Sequence, residues 1–339
     1  MFRFGVHCDP HCSYLAMGKE RSVSSEWQLA AARLVPAGRI VVRRPCPRGS
    51  AMTTLNLAGW RIRLVLGPDH LAVAAASRYA PFLSDDVAPL DLTIEMVASS
   101  MTASSMTASS MTPPSTEEGG ESHFTDLLEA PLVAQGECYS LDARTARGWI
   151  NLSSQQASLV TTNPAPLIDL EGFLRTACAL LAYRAGGLLV HGAALVVNGN
   201  AHLFIGQSGS GKSTVVALSP WATALGDDLV LLRPDRQGWL VYGTPFWNAH
   251  SVARQGQISC GVLTGVYKLV KDRRVYLETI SPAVATAELA ASCPVVNGDP
   301  SSLPGLLTRC RQLAADVPVR RLHFRKDAAF WRLLLDYEP

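Results

Sequence analysis

Lys212 sits in the string Gly206-Gln207-Ser208-Gly209-Ser210-Gly211-Lys212-Ser213-Thr214, which has the spacing G-x-x-x-x-G-K-[ST]. Glycines at these positions let successive backbone N–H groups converge on phosphate oxygens. A lysine here reaches β- and γ-phosphates, and the hydroxyl that follows it is a hard oxygen donor for Mg²⁺. The segment therefore predicts a cradle for the phosphates of ATP running from Gly206 to Thr214, with Ser213 on the metal. A helix opening at Lys212 would add its positive end.

Two acidic residues follow in Leu225-Gly226-Asp227-Asp228-Leu229-Val230-Leu231-Leu232. In common loop ATPases the metal-binding carboxylate ends an apolar strand. Here the carboxylates come first. To deliver them to the phosphate end of a sheet, this strand is expected to run opposite to the strand entering the loop, unlike an all-parallel ATPase core. One carboxylate can share Mg²⁺ with Ser213. The other can accept the proton of an attacking hydroxyl. Neighbours on a strand face opposite sides, so both serve one site only if the strand starts irregularly. Either alone could be a turn or cap residue. His191 lies in the apolar run Leu188–Val197. A single histidine in such a run is ordinarily a packed core residue, yet a hairpin would bring it near the loop.

These side chains need a strand into the loop, a helix out of it and a strand bearing the carboxylates. Leu188–Val197 reads as a buried strand, Asn198-Gly199 as a two-residue hairpin turn and Ala201–Ile205 as the returning strand. Phe173, Leu174, Ala177, Leu180 and Leu181 have helical spacing, predicting a helix over 170–185 that Gly186-Gly187 ends. Pro164 and Pro166 mark a boundary before it. Upstream, alternating apolar residues predict strands over 55–57 and 61–66 with a turn at Gly59, then over 91–97, 137–141 and 148–152. The tandem repeat SSMTA-SSMTA-SSMT and its acidic tail, 99–122, read as a flexible loop, because small polar residues bury too little area to offset ordering entropy. Residues 1–51, with His7-Cys8, His11-Cys12 and an Arg/Pro-rich run, differ from the rest. They read as a disordered extension, or as sequence ahead of a start at Met52. A zinc site would need ligands beyond the nearby Cys46. The division expected is 1–51, a β-rich α+β domain over 52–165 and an ATP-binding domain over 166–339.

With 30 Lys+Arg against 28 Asp+Glu, the chain has no basic surplus, which argues against nucleic acid as its partner. Its longest apolar stretch, 178–197, is interrupted by Arg184, Gly186, Gly187 and His191 and is no membrane span. A cytoplasmic protein with reduced thiols is expected.

The order Val190-His191-Gly192, Gly206–Ser213, Asp227-Asp228 resembles the catalytic domain of HPr kinase/phosphorylase, and more closely the HPr-kinase-related proteins of bacterial peptide-modification cassettes. Gly243-Thr244-Pro245-Phe246, 263–269 and 317–324 add to a likeness that covers roughly residues 170–335. The resemblance implies an α/β fold related to phosphoenolpyruvate carboxykinase, with a mixed sheet. It also implies ATP- and Mg²⁺-dependent phosphorylation of a serine hydroxyl on a peptide or small protein, and assembly into a homo-oligomer. Carried over, Asp227 is the base, Asp228 holds Mg²⁺ with Ser213, and His191 adjoins the transferred phosphate. Thr214 stands where the family has Glu, Ser219-Pro220 cuts the loop helix short, and the family's late arginine has no match beyond Arg254 by position. These departures argue against HPr as acceptor and against reverse phosphorolysis. They leave two rivals to the kinase: a nucleotide-binding accessory protein without transfer chemistry, and an ATP-hydrolysing motor, which lacks an obvious glutamate to activate water.

Overall fold

The computed structural model describes residues 51–98, 130, 132–236, 238–247 and 260–335. The extension before Ala51 with its His/Cys tract, the repeat at 99–122 and Arg254 lie outside the described residues.

Residues 51–161 build a seven-stranded sheet in the order β1-β2-β3-β7-β6-β5-β4. Strands β1 (Ala51–Leu57) and β2 (Trp60–Gly67) form a hairpin. Its turn residues Ala58 and Gly59 both have positive φ, 53° and 87°, the backbone that suits the strand twist. Helix α1 (Asp69–Arg78) then crosses over to β3 (Leu92–Ala98), which lies parallel to β2. Strands β4 (Leu132–Gln135), β5 (Cys138–Asp142), β6 (Ala146–Asn151) and β7 (Gln156–Thr161) form an antiparallel meander. Its last strand docks parallel to β3. The sequence pattern misses α1, β4 and β7; β7 is short and begins in polar residues, yet it joins the two halves of the sheet.

Helix α2 (Pro166–Arg184) begins earlier than its apolar spacing suggests, with Pro166 in the first turn, where no N–H is needed. It is buried nearly throughout. The second sheet has eight strands. Strands β8 (Leu188–Val197) and β9 (Asn200–Ile205) form the expected hairpin, with Asn198 and Gly199 at positive φ. Helix α3 (Lys212–Ala217) follows the glycine loop. Then come β10 (Thr223–Gly226), β11 (Leu229–Asp235), β12 (Gly238–Tyr242), β13 (Cys260–Lys271) and β14 (Tyr276–Thr279). Helices α4 (Pro282–Ala291) and α5 (Leu303–Asp316), strand β15 (Val319–Phe324) and helix α6 (Phe330–Leu335) complete the described chain. Strands β8, β11, β12, β13 and β9 pair in a closed ring, because β9 returns to β8. Residues of β9 alternate between two cores. Leu203 and Ile205 join the core shared with α2 and the first sheet, and Phe204 joins the core under α3 and α6.

The fold is thus mixed α/β with two mixed sheets and few helices. The expected direction of the Asp-bearing strand is wrong. Both β9 and β11 are antiparallel to β8, so they run the same way. Among the described residues no helix is long and apolar enough to cross a membrane.

Candidate phosphate-binding and acidic site

The direction error has a physical cause: Asp227 and Asp228 do not begin a strand. Strands β10 and β11 both pair with β8, at residues 194–196 and 188–191. They act as one strand interrupted in the middle, with a register shift between Ala224 and Gly226. The acidic pair occupies the interruption. Gly192 N–H donates to the Asp228 carbonyl at 2.9 Å, and Gly192 also pairs with Ile205, the last residue before the glycine loop. The carboxylates therefore lie level with the loop although the two strands are parallel. The break also releases the pair from strict alternation, which lets neighbours serve one site.

The loop runs from the end of β9 into α3. Gly209 and Gly211 have φ of 73° and 112°. A side chain at Gly211 would come within 2.7 Å of Phe324 Cζ, and one at Gly206 would strike Ser210. Glycine is needed at Gly211 for both conformation and space. Gln207, Ser208, Gly209 and Ser213 are exposed, Ser210, Gly211 and Thr214 are half-buried, and Lys212 is buried. The Lys212 ammonium donates to Gly206 O at 2.7 Å and to Gln207 O at 3.3 Å. Burial lowers its pKa, and the carboxylates of Asp228 and Asp227 act against that. The Ser210 hydroxyl is buried in the loop with no hydrogen-bond partner among the described residues. A cradle of this shape, with an ammonium that donates to two of the loop's own carbonyls, fits phosphate oxygens. Helix α3 is only six residues long, ended by Ser219-Pro220 as read from sequence, so its dipole adds little.

Asp227 is fully buried and Asp228 is 7% exposed. Nε2 of His191 lies 3.7 Å from one Asp228 oxygen, and the other oxygen receives Arg175 Nη1 at 2.8 Å. His191 is cross-strand from Leu229, and its N–H donates to Ser292 O at 2.7 Å. Its side chain is 42% exposed, so it is no packed core residue. Burial lowers the His191 pKa, with Lys212 adding to the effect, Asp228 opposing it and Arg175 reinforcing it. Lys212, His191, Asp227 and Asp228 thus come together, as their order in the sequence leads one to expect.

No family model and no curated protein matches the chain. What the site can do rests on its own geometry.

Arg175 is the residue that sequence reasoning missed. It projects from α2, is 6% exposed, and bridges Asp228 to Glu171, which accepts from Nη2 at 3.0 Å. Glu171 in turn accepts from Arg78 of α1 at 3.1 Å. The Arg175 guanidinium lies 5.4 Å from the ring of Phe246, whose N–H donates to Thr244 Oγ1, while that hydroxyl donates to Leu229 O at 2.6 Å. The Gly243–Phe246 segment thereby closes against the start of β11, directly after the acidic pair. The signal for Arg175 was a Glu and an Arg four residues apart inside an otherwise apolar helix.

Were Mg²⁺ bound, the residues that could hold it are Ser213, whose side chain is exposed, and Asp228. Mg²⁺ is usually held by one or two carboxylates, substrate phosphates and water rather than by a protein cage. This sparse, hard-oxygen set fits that habit. Among the described residues no three His, Cys, Asp or Glu side chains cluster as a metal site.

Proposed function

We propose that the chain is an ATP-dependent phosphotransferase of the HPr-kinase-like type, acting on a hydroxyl of a peptide or small protein. The observation that carries this reading is the convergence of Lys212, His191 and the Asp227-Asp228 pair at the end of the β8–β9 hairpin. Lys212 exchanges its two loop carbonyls for phosphate oxygens. Asp227 takes the proton of the acceptor hydroxyl as its oxygen attacks the terminal phosphorus and ADP departs. His191, whose pKa burial lowers, hydrogen-bonds the transferred group. Ser213 and Asp228 would hold Mg²⁺, which would supply positive charge to the phosphates. Catalysis of this kind is mainly positioning and charge stabilisation.

The test is transfer of labelled γ-phosphate from ATP to peptides encoded beside this gene. Asp227→Asn is expected to lower transfer by about 10²–10⁴-fold, the usual range for a general base. Undiminished transfer in that variant removes the base assignment. Loss confined to Asp228→Asn at saturating Mg²⁺ exchanges the two roles.

A second reading, a nucleotide-binding accessory protein, is favoured by the complete burial of Asp227 and the short α3. It predicts tight ATP binding with no phosphoproduct by mass spectrometry.

A further inference from the structure

A run of charged side chains passes through the interior from α1 to the acidic pair. Arg78 meets Glu171 through two nitrogens at 3.1 and 3.2 Å. Glu171, 4% exposed, meets Arg175, and Arg175 meets Asp228. Buried ion pairs lose much of their attraction to desolvation and are a weak source of stability. Their cost calls for another role. An arginine fork differs from a lysine in fixing a carboxylate by direction as well as charge. Arg175 spends Nη1 on Asp228 and Nη2 on Glu171, so its plane is set from both sides. The Asp228 backbone is held by Gly192 as well. The carboxylate thus has little freedom to rotate, and one oxygen is turned toward His191.

We infer that Arg175 is a positioning residue that fixes the Asp228 carboxylate for Mg²⁺ and nucleotide, with Glu171 holding Arg175 in place. This rests on the reading of Ser213 and Asp228 as the Mg²⁺ side of the site. Glu171 neutralises the second side of the fork, so that Arg175 does not withdraw Asp228 entirely into an isolated ion pair. Arg78 caps the run, and its guanidinium lies 4.1 Å over the Trp247 ring. The first sheet's helix is thereby tied to the segment that follows β12.

The experiment is a double-mutant cycle in the full chain, read by binding of β,γ-imido-ATP with and without Mg²⁺. The quantity measured is the gain in affinity that Mg²⁺ gives. Arg175→Lys and Asp228→Asn are each expected to cut that gain by at least about tenfold, the size of one charge-assisted hydrogen bond. In Arg175→Lys, Mg²⁺-free affinity should stay within about twofold of wild type, because Lys212, Asp228 and the loop all remain. If Arg175 acts through Asp228, the double variant loses no more than Asp228→Asn alone. Additive losses overturn the inference, as does a full Mg²⁺ gain in Arg175→Lys or a wild-type chain with no Mg²⁺ gain. Arg175→Lys keeps the buried charge and so guards against misfolding. If it too unfolds, Glu171→Gln takes its place in the cycle, with the same expected pattern and the same overturning outcomes. When transfer is measured in parallel, Arg175→Lys is expected to lower kcat while the KM of the acceptor is unchanged. A wild-type chain that binds the analogue but transfers nothing removes the kinase reading and leaves the binding cycle intact.

Discussion

At the scale of single residues, the chemistry most legible in the sequence was the chemistry that is local in it. The glycine loop, Lys212 and the acidic pair each declare themselves within a few residues. Arg175 does not, because only its i,i+4 pairing with Glu171 is local; Asp228 meets it through the packing of α2 on β11, which no spacing encodes. Lys212→Met tests the loop. It removes the only ammonium among the loop's side chains and is expected to weaken nucleotide binding by about 10–100-fold, the range of one charge-assisted hydrogen bond, measured by titration calorimetry. His202 offers a test of stability. It is buried in β9 between the rings of Tyr267 and Trp331, and Nδ1 has no hydrogen-bond partner among the described residues. Burial pushes its pKa down to about 4. Between about 6.5 and that value the unfolded chain binds a proton that the folded chain refuses, so stability falls as pH falls through this window. The slope contributed is at most about 1.4 kcal/mol per pH unit. His202→Phe should flatten urea-unfolding stability over pH 4.5–6.5; an unchanged slope would show that His202 is not the group responsible.

At the scale of elements, the β8–β9 hairpin was readable because its turn chemistry and its two apolar runs agree. The acidic strand was misread because a carboxylate pair ahead of an apolar run looks like a strand beginning. The preceding Thr223–Gly226 is short and pairs with the same strand, β8, which turns a beginning into a bulge. Loop geometry gives the prediction here. Gly211→Ala meets both a φ of 112° and the ring of Phe324 at 2.7 Å, whereas at Gly209, with φ 73°, nothing lies within 4 Å of an added Cβ. Both substitutions carry backbone strain of about 1–3 kcal/mol. Gly211→Ala adds a clash at the foot of α3. It should lower the urea midpoint more than Gly209→Ala and weaken binding of the ATP analogue further. Equal effects in the two variants would mean that Phe324 gives way at no cost.

At the scale of the whole molecule, the proline boundary at 164–166 separates the strands of one sheet from those of the other, yet the core does not divide there. Helix α2 packs on β6 and β7 of the first sheet and on β8 and β11 of the second. Leu170, Phe173, Leu174, Leu180 and Leu181 are all buried, in one cluster that includes both sheets. Each such side chain contributes about 1.5–3 kcal/mol when removed from water. Five of them are comparable with the whole net stability of a domain, about 5–15 kcal/mol. Cutting the chain between Ala165 and Pro166 exposes one side of this helix and leaves the buried Glu171 without Arg78. The fragment 166–339 is therefore expected to lack a cooperative thermal transition, while the full chain shows a single one by calorimetry and circular dichroism alike. Gly148→Ala probes the same seam from within, since an added Cβ on β6 would lie 2.5 Å from the Phe173 ring and 2.8 Å from Ser158 O. It should lower the one midpoint of the full chain rather than split the transition in two. A fragment that melts cooperatively near the intact midpoint, or a two-step profile in Gly148→Ala, would mean that α2 belongs to the second sheet alone. The first sheet would then be an attachment, and the run from Arg78 to Asp228 would lose its mechanical anchor.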